Sequence, residues 1–221
     1  VTSRKVLNSG FVRLTNVMGD DLSVVRSARV SVNEETKGPE KDKKLIKFLM
    51  QNKHETPFEH VVFTFHIKCP IFIARQWMRH RLGSFNEISG RYVKLDPEFY
   101  IPAYFRKQVG KNYEYENMDE VTCNELQGKL QNFYYQTYNF YKKLLDKGVA
   151  KEQARSILPL GMYTQFYWTV NARWLMNFLK LRFDIHAQSE MRDYARVLLD
   201  IMTEKLPWTT QYFIELELSK K

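Results

Sequence analysis

From Val62 onward, the segment VVFTFHIKC at residues 61–69 alternates with a period of two. Phe63, Phe65, Ile67 and Cys69 fall on one side, and Val62, Thr64, His66 and Lys68 on the other. That is the pattern of a strand with one buried face, so the chain is not built from helices alone. Pro70 follows where a helix can begin, because its missing N–H is harmless in a first turn. IFIARQWMRHRL then continues as helix to a stop at Gly83.

Helical patterns dominate elsewhere. DLSVVRSARV at 21–30 reads as a short helix with Asp near its start. PEKDKKLIKFLMQNKH puts Leu45, Ile46, Phe48 and Leu49 on one stripe, which predicts a helix over 39–53. A long helix is expected over 118–147, ending at Gly148, and KEQARSIL is a short one stopped by Pro159. Asn171 is a plausible cap for ARWLMNFLKLR. SEMRDYARVLLDIMTEKL makes another amphipathic helix, with a last one after Pro207. Further strands are expected at FVRLTNVM (11–18), RYVKL (91–95) and FYWTV (166–170), while DPEFYIPAYF reads as an aromatic loop. Helices with scattered strands, in no regular βα alternation and with no repeats or linkers, make an α+β chain.

The 221 residues are 44% hydrophobic with 13 Tyr, 15 Phe and 4 Trp, enough for a substantial core. No run of eighteen apolar residues predicts a membrane span. The first residues, VTSRKVLNSGFVRL, lack the apolar region of a signal peptide, and two cysteines suggest a reducing compartment. A cytoplasmic location is therefore expected. The net charge of +9 favours anionic partners. Runs such as KGPEKDKK read as solvated faces, so the informative cations are arginines set among aromatic and apolar residues.

Those arginines gather in RHRLGSFNEISGRY, residues 79–92, where Arg79, His80, Arg81 and Arg91 share a short stretch with one carboxylate, Glu87. Like charges so close call for an anion among them. Neither GxGxxG nor a P-loop is present, but guanidinium forks bind phosphate without glycines. On the expected helix Arg75 and Arg79 share a face. Ser84, Asn86, Glu87 and Ser89 read as a polar loop facing a ligand. The S-x-x-E capping box they also match is followed by no helical run. A second polar group comprises Arg155, Asn171, Arg173, Asn177, Arg182 and His186. Each has a structural role available, such as a cap at Asn171 or a helix-end cation at Arg182. Together they suggest a site assembled from distant segments.

Other chemistries fit poorly. His54 and His60 in HETPFEH are six apart, roughly 240° around a helix, and Pro57 opposes a helix there, so no metal site is expected. Cys69 lies within the strand pattern as a small core residue. Ser84 and Ser89 lack an obvious base, leaving no convincing covalent nucleophile. A basic chain rich in aromatics also fits a nucleic-acid-binding module, which would be colourless and steeply salt-dependent.

The stretch at 79–92 contains the whole pattern R-H-R-x-x-S-x-N-E-x-S-x-R-Y of the flavin-dependent thymidylate synthases. ARVS at 28–31, HETPFEH, ARQW, ARSILPL and WTVNARWLMNFLKLR followed by HAQSE are also similar to that family. The resemblance spans about residues 10 to 208. It implies transfer of the methylene of methylenetetrahydrofolate to C5 of dUMP and its reduction to the methyl of dTMP. FAD would carry the hydride, NADPH would reduce FAD, and tetrahydrofolate would be released. It further implies a helix-rich α+β single-domain subunit with a small mixed or antiparallel sheet and a long helical hairpin. Four such subunits would form a homotetramer with active sites at their interfaces.

By the same resemblance, dUMP is contacted by Gln76, Arg79, Glu87, Ser89, Gly90, Arg91, Arg155 and Arg182. Flavin is contacted by Ser31, Thr56, Arg79, His80, Arg81, Glu87, Asn171, Arg173 and Asn177, with His54 nearby as a folate- or flavin-handling residue. Arg182 polarises the N3/O4 edge of the pyrimidine. That role agrees with the chemistry, because C5 of uracil is a poor nucleophile until negative charge develops in the ring. A fixed guanidinium aimed at such charge contributes about 3–4 kcal/mol.

Overall fold

The computed structural model describes residues 3–111 and 113–219. The chain runs β1 (Ser3–Val6), β2 (Gly10–Met18), α1 (Asp21–Arg29), α2 (Pro39–Gln51), β3 (Val62–Pro70), α3 (Ile71–Trp77) and β4 (Ser84–Glu87). It continues through β5 (Arg106–Gln108), β6 (Tyr115–Asn117), α4 (Glu120–Asp146), α5 (Lys151–Ala154), β7 (Tyr163–Asn171), α6 (Ala172–Arg182), α7 (Ser189–Lys205) and α8 (Pro207–Phe213).

The alternation in β3 carries directly into space. Phe63, Phe65, Ile67 and Cys69 are fully buried, while Val62, Thr64, His66 and Lys68 are half covered. β3 pairs antiparallel with β2 on one edge and with β7 on the other, in register from Val62 opposite Asn171 to Pro70 opposite Tyr163. β1 and β4 complete an antiparallel sheet of order β1-β2-β3-β7-β4. Its buried face meets the helices through aromatic side chains. The Trp77 ring lies 5.5 Å from that of Trp168, 4.9 Å from Phe178 and 5.7 Å from Tyr194. A smaller apolar cluster of Tyr138, Tyr141, Ala154 and Met162 joins α4 and α5 to the start of β7. The α+β class and the antiparallel sheet agree with the sequence reading.

Several elements differ from expectation, each for a local reason. The helix after Pro70 ends at Trp77 and does not continue to Gly83. The chain must turn there so that Gly83 can pass close to β7; a Cβ at Gly83 would lie 2.9 Å from the Thr169 carbonyl and 2.8 Å from Trp168 Nε1. Arg79 therefore lies beyond the helix and does not share a helical face with Arg75. SFNE is not a loop but the edge strand β4, paired with Phe166–Thr169 of β7. RYVKL is not a strand: the Ser89 carbonyl accepts from the N–H groups of Tyr92 and Val93, closing a turn. The long helix α4 is present, yet no second long arm makes it a hairpin. It returns through the four-residue α5 and a 3-10 turn at Arg155–Ile157.

Gly10 sets how closely α7 approaches the sheet. A Cβ there would lie 2.0 Å from the Tyr194 hydroxyl, 2.7 Å from the Val6 carbonyl and 2.8 Å from the Lys68 carbonyl. Two of these are backbone atoms, and Tyr194 is itself tied by its hydroxyl to the Lys68 carbonyl at 2.8 Å. Gly10→Ala is expected to cost about 1–3 kcal/mol, the range for overpacking a tight core. The check is thermal melting, which should drop by roughly 2–12 °C for a domain of this size.

Candidate active site

The sharp turn after α3 and the C-terminal end of α6 bring the first group of site residues together. Arg182 Nε donates to His80 Nε2 at 2.9 Å, and its Nη2 donates to the Gln76 carbonyl at 3.0 Å. The Gln76 side chain is in turn fixed by donating to Gln188 Oε1 at 2.6 Å. Burial, and then the charge of Arg79, lower the pKa of Arg182. Two guanidinium groups are thus held near each other in a partly dry setting. Arg182 and Gln76 open onto a cleft of about 1080 Å³ whose walls include Tyr100, Tyr104, Tyr115 and Arg192.

Behind His80 lies a second cleft of about 530 Å³, lined by Arg79, His80, Arg81, Leu82, Trp168, Trp174 and Asn177. Asn177 also lines a small cavity on the far side of α6, together with Arg173 and Glu55. Arg173 pairs with Glu55 at 2.6 Å. Glu55 adjoins a third depression of about 230 Å³ that holds Ser31, His54, Thr56 and His60. The residues Arg79, His80, Arg81, Asn177, Arg173, Thr56, His54 and Ser31 therefore form a band across the chain. Asn171 has a settled local role, since its Oδ1 accepts from Trp174 N–H at 3.0 Å and caps α6 as its position predicted.

The remaining residues form a separate group beyond β4. A Cβ on Gly90 would lie 3.2 Å from Arg155 Cδ, so the glycine lets the loop rest on that side chain. Arg91 pairs loosely with Glu152 at 3.5 Å, and Ser89 Oγ accepts from Arg91 N–H at 3.3 Å. Glu87 does not sit among the arginines to balance them; it accepts from Thr164 Oγ1 at 2.5 Å. Among the described residues, no hydrogen bond or ion pair joins this group to Arg79 or Arg182.

Cys69 is fully buried, and burial followed by the charge of Glu87 pushes its thiol pKa well up, away from thiolate. Ser89 Oγ accepts from the Arg91 N–H and has no basic side chain as a hydrogen-bond partner among the described residues.

Sequence reasoning missed Gln188, which locks Gln76, and Thr164, which holds Glu87. It also missed Trp168 and Trp174 on the second cleft, and the Arg106–Glu190 pair that lines the first. HAQSE contains two of these residues, so the signal was present without an assignment.

A model of the thymidylate synthase complementing protein family matches residues 13–208. The chain belongs to this family. It is 54% identical over 217 residues to the flavin-dependent thymidylate synthase of Thermosipho melanesiensis, covering 96% of this chain and 93% of the relative. Identity to a flavin-dependent thymidylate synthase of Thermus thermophilus is 48% over 210 residues, covering 95% and 77% respectively. Among solved structures, the fold is similar to PolB, a UMP/dUMP methylase of Streptomyces cacaoi bound with 5-Br UMP. The TM-score is 0.88 with 33% identity, covering 96% of this chain and 97% of PolB. The resemblance drawn from the RHR motif and its flanking segments is thereby borne out at the level of the family.

Proposed function

We propose that this chain is a flavin-dependent thymidylate synthase, acting as a single catalytic domain. Its reaction takes dUMP, methylenetetrahydrofolate, NADPH and a proton to dTMP, tetrahydrofolate and NADP⁺. The observation that carries the reading is the anchoring of Arg182. Two of its five N–H groups are held by His80 and the Gln76 carbonyl, and the rest are left at the wall of the larger cleft. A guanidinium fixed in this way stabilises negative charge developing along N3 and O4 of a pyrimidine, which makes C5 nucleophilic without a covalent thiolate. The buried, protonated Cys69 supports a route of that kind.

FAD fits the residues present. The second cleft offers the half-buried indole of Trp174 beside the cations Arg79 and Arg81. Trp168 Nε1 is buried there with no acceptor among the described residues. The side chains that would hold the dinucleotide are Arg79, His80, Arg81, Arg173 and Asn177, with Ser31 and Thr56 at the third depression. When bound, FAD supplies the hydride that NADPH provides. Arg155, Gly90 and Arg91 are suited to the dUMP phosphate, and Ser89 orders that loop by accepting from Arg91 N–H. His54, packed edge-on against Phe48 at 5.7 Å, is available at the third depression for flavin or folate.

The division of these residues over separate patches of one subunit supports a homotetramer whose neighbouring copies complete each site. The deciding experiment supplies FAD, NADPH, methylenetetrahydrofolate and dUMP to the purified protein, then follows flavin absorbance and dTMP. A yellow protein that forms dTMP and tetrahydrofolate is expected. Bound flavin with folate present but no dTMP overturns the reading.

A further inference from the structure

His80 lines the second cleft, and its ring has a guanidinium for a partner. Arg182 Nε donates to His80 Nε2 at 2.9 Å. An imidazole nitrogen accepts a hydrogen bond only when it carries no proton, so the ring is neutral with its proton on Nδ1. The surroundings enforce that state. The ring packs 4.7 Å from Phe178, and burial followed by the Arg182 charge holds its pKa down to about 4. No carboxylate pairs with the ring among the described residues.

We infer that His80 is a positioning residue for Arg182, its Nε2 lone pair fixing the rotation of the guanidinium that faces the pyrimidine. The geometry leaves little alternative for the anchor. With Nε on His80 and one Nη2 hydrogen on the Gln76 carbonyl, the planar group is held at two points of its fork. Both Nη1 hydrogens and the second on Nη2 stay free for a ligand in the larger cleft. Without the imidazole acceptor only the Gln76 carbonyl remains, and the guanidinium can pivot about it. His80 also lines the second cleft, where its Nδ1–H has no partner among the described residues. A ligand acceptor there would lock the ring, and through it Arg182. The inference rests on the proposed role of Arg182 and adds a residue that acts through it.

The test uses the full chain reconstituted with FAD, with turnover expressed per bound flavin. His80→Leu removes the acceptor, whereas His80→Gln restores one near the position of Nε2. Hydrogen bonds to a charged group are worth enough that His80→Leu should lower kcat about 10- to 150-fold. KM for dUMP should change less than about threefold, because orientation in the transition state is what is lost. His80→Gln should recover to within about fivefold of the unsubstituted chain. Arg182→Ala is measured in parallel. If it is fully active, the reading of Arg182 fails and this inference with it. If it is inactive while His80→Leu is unaffected, only the positioning role fails. A His80→Gln protein as slow as His80→Leu, or one that binds no flavin, also overturns it, since the ring's contact with the cofactor, and not its hold on Arg182, would then account for the loss.

Discussion

Arg182→Ala is expected to remain folded, flavin-loaded and able to bind dUMP, while turnover falls about 10²- to 10³-fold. That is the loss seen when one preorganised donor to a developing oxyanion is removed. Folding should survive because Arg182 is the last residue of α6 and only half-buried, so truncation removes two hydrogen bonds and a helix-end cation. The dipole part of that loss is about 0.3–1 kcal/mol. Catalysis should suffer far more. Burial and the nearby Arg79 lower the pKa of Arg182, which means the charge is poorly solvated in the resting site. Such a charge interacts strongly with negative charge that appears beside it. Because the interaction grows as the pyrimidine becomes anionic, kcat and kcat/KM should fall together. Arg182→Lys keeps the charge and loses the fork, so it should fall between the two. Steady-state kinetics with flavin absorbance as the loading control is the measurement. Unchanged turnover of the alanine variant removes Arg182 from the chemistry.

The parts of the fold that could be read in the sequence are those where one face is buried and the other is not. β3 was legible because Phe63, Phe65, Ile67 and Cys69 alternate with polar residues, and α6 because Asn171 announces its cap. β4 was illegible for the opposite reason. Ser84, Asn86 and Glu87 are all exposed and only Phe85 is partly covered, so an edge strand here has no apolar period to betray it. β1, β5 and β6 are three or four residues long, too short to establish a period. RHRL is compatible with helix, so the sequence pattern alone carries the helix after Pro70 past its actual end at Trp77. What stops it is the approach of Gly83 to Trp168 and Thr169 of β7, a contact with residues far along the chain. The arginine cluster shows the same limit. Its residue types signalled an anion site, but Glu87 proved to be tied to Thr164 and His80 to Arg182, and no local spacing encodes either partnership.

Glu190→Gln should produce a large effect on stability, of about 3 kcal/mol, with its consequence for the site concentrated in one hairpin. Glu190 is buried at the start of α7 and binds the Arg106 guanidinium through both oxygens, at 2.6 and 2.9 Å, while accepting from the Tyr100 hydroxyl at 2.9 Å. Burial alone would raise the pKa of Glu190, but the hydrogen bonds from Arg106 and Tyr100 leave it lowered. Burial and then Glu190 itself raise that of Tyr100, which therefore stays a protonated donor. The amide keeps the shape of the carboxylate and discards its charge, leaving Arg106 without its counterion. Breaking a buried pair from one side costs about 3–5 kcal/mol, and the lower end applies because Arg106 still reaches water. Melting should fall by roughly 6–12 °C. Since Arg106 opens β5, the loss should be local first. Hydrogen exchange over the hairpin that spans β5 and β6, at the rim of the larger cleft, should accelerate before the sheet opens. The sign of the pH dependence follows from the lowered pKa. The contribution of Glu190 is present above the ordinary carboxylate pKa and is lost as pH falls through its folded value. The gap between Glu190→Gln and the unsubstituted chain should therefore close in acid. Equal melting at neutral pH, or a gap that widens as acid is added, would show that the pair is not what holds the hairpin against the cleft.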